Sequence, residues 1–281
     1  MASGTTHRAP RSLALLCALV VAPARAADYV TVAADRHEPS LPASYNKTVI
    51  ADAGGPPNWR GHANAYEAVF DNASPHFKAL PPLGGSPCGK RVRTSVTAAA
   101  RGCKWATNAS PFNMSSGDCD CGVAISDGIA FGTGGWDRAQ FGVTANGSWV
   151  IGTINQSVAA QLNVTNSLNG FGWLVRDGAV AVQPDTTVAP RTTIGVTSAG
   201  RLLSLEVDGC EPQVGCLWKL GKTLHEMAEL LVARGALHAI NLDGGGSSTV
   251  VDQGQVINHP TDRDRWLLRD ERAVTTVACV V

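Results

Sequence analysis

The sequence predicts an α+β fold: a mixed, mostly antiparallel β-sheet core with few helices, in a single disulfide-stapled domain. Three observations carry that expectation. From Gly122 to Val182 short β-prone runs are cut by the turn dipeptides Asp127-Gly128, Asn146-Gly147 and Asp177-Gly178. One later segment switches period, with Leu217, Leu220, Leu224, Met227, Leu230, Leu231 and Arg234 recurring at three- and four-residue steps. The chain then closes on a β-branched run, Ala273 to Val281.

The elements follow in order. His7, Arg8 and Arg11 precede an apolar run from Ser12 to Ala22, and Ala24-Arg25-Ala26 places small residues where a signal peptidase reads, so residues 1–26 are predicted to be a signal peptide. Residues 27–87 form an N-terminal extension packed on the core. In it Ala27 to Pro57 carries one or two edge strands, Ala65 to Phe70 is a strand, and the Pro- and Gly-rich stretch Phe77 to Lys90 is a loop. Residues 88–281 form the main domain. Lys90 to Gly102 is helix-compatible and ends in a glycine stop, and Lys104 to Asn108 is a short buried strand. Hairpins follow: Gln140 to Val143 with Ser148 to Ile151, Trp173 to Arg176 with Val180 to Val182, and Arg191 to Val196 with Leu202 to Val207 around Ala199-Gly200. The amphipathic helix starts between Lys219 and Thr223 and stops at Gly235. Ala239 to Leu242 and Thr249 to Val251 are short strands flanking a glycine run.

Composition narrows the function. The 281 residues are 44% hydrophobic and 16% charged, a core-forming chain, and the formal net charge of zero excludes the basic footprint of a nucleic-acid binder. Outside the leader no stretch is long and apolar enough for a transmembrane segment. The sequons at Asn46, Asn72, Asn146, Asn155 and Asn163 are expected glycosylation sites in a chain routed through the secretory pathway, to the Golgi or endolysosomal lumen or secreted. Two further sequons begin at Asn108 and Asn113. Seven cysteines follow the leader, so an oxidising lumen would pair six and leave one over. Cys119 and Cys121 are too close to bridge easily, whereas Cys210 and Cys216 bracket a short loop. The histidines are scattered, which argues against metal ligation, and no cofactor is expected.

The chemistry concentrates in Asn241-Leu242-Asp243-Gly244-Gly245-Gly246-Ser247-Ser248-Thr249. A strand ends in an acid, three glycines free the backbone, and three hydroxyl residues follow. Amides in such a turn can form a concavity for anion or sugar oxygens. No lysine follows the glycines, so the stretch is not a nucleotide P-loop.

Several ordered stretches resemble the phosphodiester glycosidase family. Asn241 to Ser247 matches the family's Asn-Leu-Asp-Gly-Gly-Gly-Ser, preceded at matching distance by His225-Glu226-Met227-Ala228. Arg191-Thr192-Thr193-Ile194-Gly195, Gln140-Phe141-Gly142, Asp208-Gly209 and Ser116-Gly117-Asp118-Cys119 fit as well, so the likeness runs from about Cys88 to Cys279. It implies hydrolysis of a sugar–phosphate–sugar diester at the glycosidic bond, with release of N-acetylglucosamine from N-acetylglucosamine-phospho-mannose and exposure of mannose 6-phosphate. The expected partner is a glycan or glycoprotein bearing that diester. Asp243, Asp208 and Glu226 are the candidate catalytic carboxylates, with Asp243 first. Arg191 is the candidate for phosphate, because a guanidinium fork matches phosphate oxygens. Asn108, Phe112, Asn241, Gly244, Gly245, Gly246, Ser247 and Thr249 complete the expected substrate site.

The resemblance also implies the disulfides Cys88–Cys119 and Cys103–Cys279. With Cys210–Cys216 these make three bridges and leave Cys121 over; the long Cys103–Cys279 loop would contribute on the order of 4 kcal/mol by chain entropy. One stretch departs from the family pattern. Asn-Gly-Gly-Phe-Phe is replaced by Asn108-Ala109-Ser110-Pro111-Phe112, which implies a narrowed or reshaped pocket. That change keeps open a secreted sugar- or phosphate-binding module that has lost catalysis; a third reading is a related hydrolase of cell-surface polysaccharide.

Overall fold

A computed structural model describes residues 28–51, 63–82, 90–116, 124–131, 138–211, 220–262 and 270–281. The expected signal peptide, Cys88, Cys119, Cys121, Cys216 and residues 83–89 of the 77–90 stretch lie outside them.

In chain order the strands begin with β1 (Asp28–Val32), β2 (Ser44–Ile50), β3 (Ala65–Asp71), β4 (Phe77–Leu80) and β5 (Val92–Arg93). Helix α1 (Thr94–Arg101) leads to β6 (Trp105–Asn108), β7 (Ala124–Ser126), β8 (Ile129–Phe131), β9 (Gln140–Thr144) and β10 (Trp149–Thr153). After α2 (Gln156–Gln161) come β11 (Val164–Asn169), β12 (Gly172–Arg176), β13 (Ala179–Val180), β14 (Arg191–Thr197) and β15 (Leu202–Val207). Helix α3 (Leu224–Ala233) precedes β16 (Ala236–Asn241), β17 (Val250–Asp252), β18 (Gln255–Val256), β19 (Ala273–Val274) and β20 (Val277–Val280).

Every pairing between these strands is antiparallel. Three larger sheets result, ordered β1-β10-β9-β11-β7-β8, β13-β12-β16-β14-β15-β3-β2 and β18-β17-β6-β20-β4. The edge strands expected between Ala27 and Pro57 are β1 and β2, each of which completes the edge of a sheet. One correction concerns residues 77–80. They were expected in a loop, yet Phe77, Ala79 and Leu80 are buried and β4 pairs with β20. The prolines and glycines that suggested a loop all lie after this strand, in 81–89.

The main core lies where the three sheets meet. Phe70, Trp105, Phe141, Trp149, Ile194 and Ile240 are buried there together. Both indole N–H groups are satisfied: Trp105 Nε1 donates to Ser204 Oγ (3.1 Å) and Trp149 Nε1 to the Gly200 carbonyl (2.9 Å). A second cluster forms where α3 lays Met227, Ala228 and Leu231 on Leu203, Leu205 and Ala239 of the seven-stranded sheet. The period-3.6 stripe read from the sequence is therefore the packing face of α3. Its Leu220 is not helical, because it pairs with Cys210 in an isolated bridge before the helix begins. Ala98 of α1 packs near Ala106, Val251 and the Cys103–Cys279 disulfide. Among the described residues no helix is long and apolar enough to cross a membrane.

Candidate active site

The acid–glycine stretch leaves the end of β16, an interior strand of the seven-stranded sheet between β12 and β14. Leu242 N–H donates to the Thr192 carbonyl (2.9 Å) and Asp243 N–H to the Ala109 carbonyl (2.9 Å). The chain thus crosses from one sheet to another, since Ala109 directly follows β6. Gly245 to Ser247 then form a single 3₁₀ turn, in which Ser247 N–H donates to the Gly244 carbonyl (3.2 Å).

Glycine is required at two points of this turn. Gly245 adopts φ +58°, and a Cβ there would stand 2.8 Å from Glu211 Oε2. A Cβ on Gly246 would meet Arg272 Nη2 at 2.5 Å and the Asp262 main chain at 2.9 Å. The glycines let two charged side chains close on the backbone.

Asp243 keeps part of its surface open to solvent, while its carboxyl is enclosed. Burial pushes its pKa from 3.8 to about 6. The Ser247 hydroxyl, Arg272 and the Gly244 N–H oppose that rise, and the negative charge of Glu211 adds to it. Arg272 donates from Nη1 to Ser247 Oγ (3.3 Å) and from Nε to Asp262. A continuous polar chain therefore runs from Asp243 through Ser247 and Arg272 to Asp262.

Two of the three glycine amides are turned to the protein itself rather than left open as an anion cradle. Gly245 N–H donates to the Pro190 carbonyl (3.0 Å), Ser247 N–H stays within the turn, and Gly244 N–H serves the Asp243 carboxyl. The turn uses its donors to hold its own shape.

Arg191 reaches the loop by its main chain, with its Cα 3.8 Å from the position of a Cβ on Gly244. Its guanidinium donates from Nε to the Lys222 carbonyl (3.0 Å) and from Nη2 to the Thr187 carbonyl (2.6 Å). Its Nη1 makes no hydrogen bond among the described residues, and the carboxylates of Asp185 and Glu211 lie in its field.

Other expected site residues are placed differently. Asn108 is fully buried. Its Nδ2 donates to the Asp243 carbonyl (2.7 Å), and its Oδ1 accepts from Thr192 Oγ1 (2.8 Å) and Thr249 N–H (3.2 Å). It holds the loop rather than facing substrate. Phe112 packs with Leu80, Ala98 and Val277 beneath the Arg91 guanidinium, in the cluster around the disulfide. Glu226 closes the capping box of α3, its Oε2 accepting from Thr223 N–H (2.8 Å) while Thr223 Oγ1 accepts from Glu226 N–H (3.1 Å). Asp208 is buried and accepts from His259 N–H (2.8 Å) and from Tyr66, whose pKa rises to about 12 through its own burial and the Asp208 charge. The side-chain Oδ1 of Asn241 and Oγ1 of Thr249 are buried without a hydrogen-bond partner among the described residues.

The departure at Asn108 to Phe112 is absorbed inside the protein. Ala109 joins the main core, and Ser110 Oγ accepts from Asn169 N–H (3.2 Å). The extra side chains point into packing rather than stand exposed at the site.

Two charged residues at the site, Glu211 and Arg272, were not singled out from the sequence. Neither sits in a motif; each reaches the loop only through the tertiary fold. Two covalent expectations can also be placed. Cys103 and Cys279 form a disulfide with Cα atoms 5.6 Å apart, and Cys210 is disulfide-bonded. Among the sequons, Asn46, Asn146 and Asn163 are exposed and Asn155 is half-buried as the N-cap of α2. Asn72 is a correction. It is 3% exposed, and its amide is engaged by Glu38 N–H (2.9 Å) and the carbonyls of Glu38 (3.0 Å) and Leu41 (2.8 Å), which leaves no room for a glycan.

The antiparallel β fold thus presents an enclosed acid on a glycine turn, with the Arg191 main chain and the Arg272 guanidinium against that turn. The chain belongs to the phosphodiester glycosidase family, whose profile matches residues 101–281. It is 35% identical over 231 residues to N-acetylglucosamine-1-phosphodiester alpha-N-acetylglucosaminidase of Mus musculus and 34% identical over 230 residues to that of Homo sapiens; each match covers 73% of this chain and 43% of the relative. The match therefore spans less than half the length of those relatives. The solved catalytic domain of the zebrafish enzyme, auto-inhibited by its pro-peptide, superposes with a TM-score of 0.74 at 26% identity, covering 90% of this chain and 87% of the other.

Proposed function

We propose that this chain hydrolyses a sugar-1-phosphodiester at the glycosidic C–O bond, removing N-acetylglucosamine from N-acetylglucosamine-phospho-mannose on glycoproteins and exposing mannose 6-phosphate. The observation that carries this reading is the Asp243 carboxyl, enclosed on the glycine turn and poised near pH 6. A phosphomonoester is already a good leaving group, so a carboxylic acid of that strength is matched to its oxygen. Asp243 in its neutral form donates a proton to the bridging oxygen as the C–O bond breaks. Arg191 supplies positive charge to the phosphate through its Nη1 edge, and Arg272 lies against Gly246 and Ser247 of the same turn. The names of the mouse and human relatives support N-acetylglucosamine as the sugar released. The sequons and cysteines support a reaction in the lumen of the secretory pathway.

The test is turnover of the purified protein on N-acetylglucosamine-phospho-mannose, followed as free N-acetylglucosamine. The native chain releases sugar and Asp243→Asn does not, while both fold. A variant that retained normal turnover would remove Asp243 from the mechanism, and binding without release by the native chain would favour a binding module.

A further inference from the structure

Hydrolysis at an anomeric carbon needs a second group to activate the attacking water, usually another carboxylate. The two other carboxylates suggested by the sequence are engaged elsewhere, Glu226 in the α3 capping box and Asp208 with His259 N–H and Tyr66. Glu211 is placed differently. Its Oε2 fills the space above Gly245, 2.8 Å from where a Cβ would stand, and its charge acts on both Asp243 and Arg191. It is half-buried, so water can reach it.

Its backbone is also fixed from several sides. The preceding Cys210 is disulfide-bonded, and its N–H and carbonyl pair with Leu220 at 3.0 and 2.9 Å. Gly209 packs so tightly against Leu220 that a Cβ would lie 2.2 Å from its carbonyl oxygen. Gly221 in turn lies against Ala189 and Pro190, and the Pro190 carbonyl accepts from Gly245 N–H. The segment bearing Glu211 and the turn bearing Asp243 are thus braced on one strut, Ala189-Pro190. Backbone support of this kind beside a carboxylate is what a reacting group calls for.

We propose that Glu211 is the second catalytic carboxylate, the base that activates water; this rests on the reading of the site as a sugar phosphodiester hydrolase. The Glu211 carboxylate takes a proton from water, and the water oxygen bonds to the anomeric carbon. The bond from that carbon to the phosphate oxygen breaks, its electron pair stays on the oxygen, and Asp243 supplies that oxygen with a proton. The products are the free sugar and a phosphomonoester, and solvent returns one proton from Glu211 to Asp243.

The experiment compares native protein, Glu211→Ala and Glu211→Gln on N-acetylglucosamine-phospho-mannose, with and without sodium azide. Both variants are expected to lose between about 10² and 10⁴ in kcat, the usual worth of a general base, with KM and melting temperature close to native. Azide fits the space opened in Glu211→Ala and restores turnover, giving N-acetylglucosaminyl azide. Near-native kcat in either variant overturns the proposal, as does a loss in both variants that azide leaves unrelieved or that tracks a fallen melting temperature. If the native protein itself releases no sugar, the underlying reading falls first, and that outcome is distinct from an active native enzyme indifferent to Glu211.

Discussion

The side-chain amide of Asn108 donates to the main-chain carbonyl of Asp243 across 2.7 Å, tying the end of β6 to the acid that leaves β16. The same amide oxygen accepts from Thr192 Oγ1 and Thr249 N–H, so one buried side chain joins three segments of the site. Replacing it by alanine takes their Asn108 partner from a buried carbonyl and N–H, and leaves the Thr192 hydroxyl only Ser248 Oγ at 3.3 Å, at a cost of about 1–3 kcal/mol for each group left unpaired where water cannot reach. Asn108→Ala is expected to unfold at markedly lower denaturant concentration and to lose at least about tenfold in kcat, because the loop loses its anchor. Asn108→Asp should be as damaging, since a carboxylate presents acceptors to an acceptor. Chemical denaturation beside kinetics checks both variants; native stability in either would show that the tie is dispensable.

The raised pKa of Asp243 makes a second prediction. In the folded chain its carboxyl holds a proton up to about pH 6, whereas in the unfolded chain it releases that proton near its ordinary 3.8. The folded state thus binds more protons between those values, and the stability from this group, complete below about pH 4, is lost as pH rises toward 6. Asp243→Asn cannot ionise. It should be more stable than native protein at pH 7 by roughly 1–3 kcal/mol, and the gain should vanish near pH 3.5 even though catalysis is lost. Thermal melts across that range give the answer, and a variant less stable than native at pH 7 would contradict it.

Glu226 offers the contrasting case. Its carboxylate caps α3 through Thr223 N–H. Glu226→Ala is expected to lower stability by about 1 kcal/mol, the usual worth of a helix cap, and to leave kcat within about twofold of native, well short of the loss expected for a general base. A loss of kcat above about a hundredfold at unchanged stability would return Glu226 to the catalytic set.

The parts of the fold that were legible are those coded locally. Asp127-Gly128 and Asp177-Gly178 turn with positive φ at both residues, 47° and 82°, then 53° and 73°, as tight hairpin turns demand. Thr223 and Gly235 mark the ends of the α3 region as a cap and a left-handed stop. β4 was obscured because four residues carry little periodic signal and the Pro- and Gly-rich stretch beside them dominates. The site divides in the same way. Asp243 and its glycines are contiguous and could be read directly. Glu211 and Arg272 reach the loop from segments 32 residues before and 29 after Asp243, and no spacing rule links such positions. Asn108 was recognised, but its choice between substrate and loop depends on burial, which only the packed sheets define.

Cleavage of the glycosidic bond is tested most directly by the position of the incoming oxygen. Turnover of N-acetylglucosamine-phospho-mannose in water enriched in oxygen-18, followed by mass analysis of both products, separates the two bonds that water could break. Attack at the anomeric carbon places the heavy oxygen in N-acetylglucosamine and leaves the mannose 6-phosphate unlabelled, which is the predicted result. Heavy oxygen in the phosphate would mean that the P–O bond is cleaved, and the assignment as a sugar phosphodiester glycosidase would be contradicted.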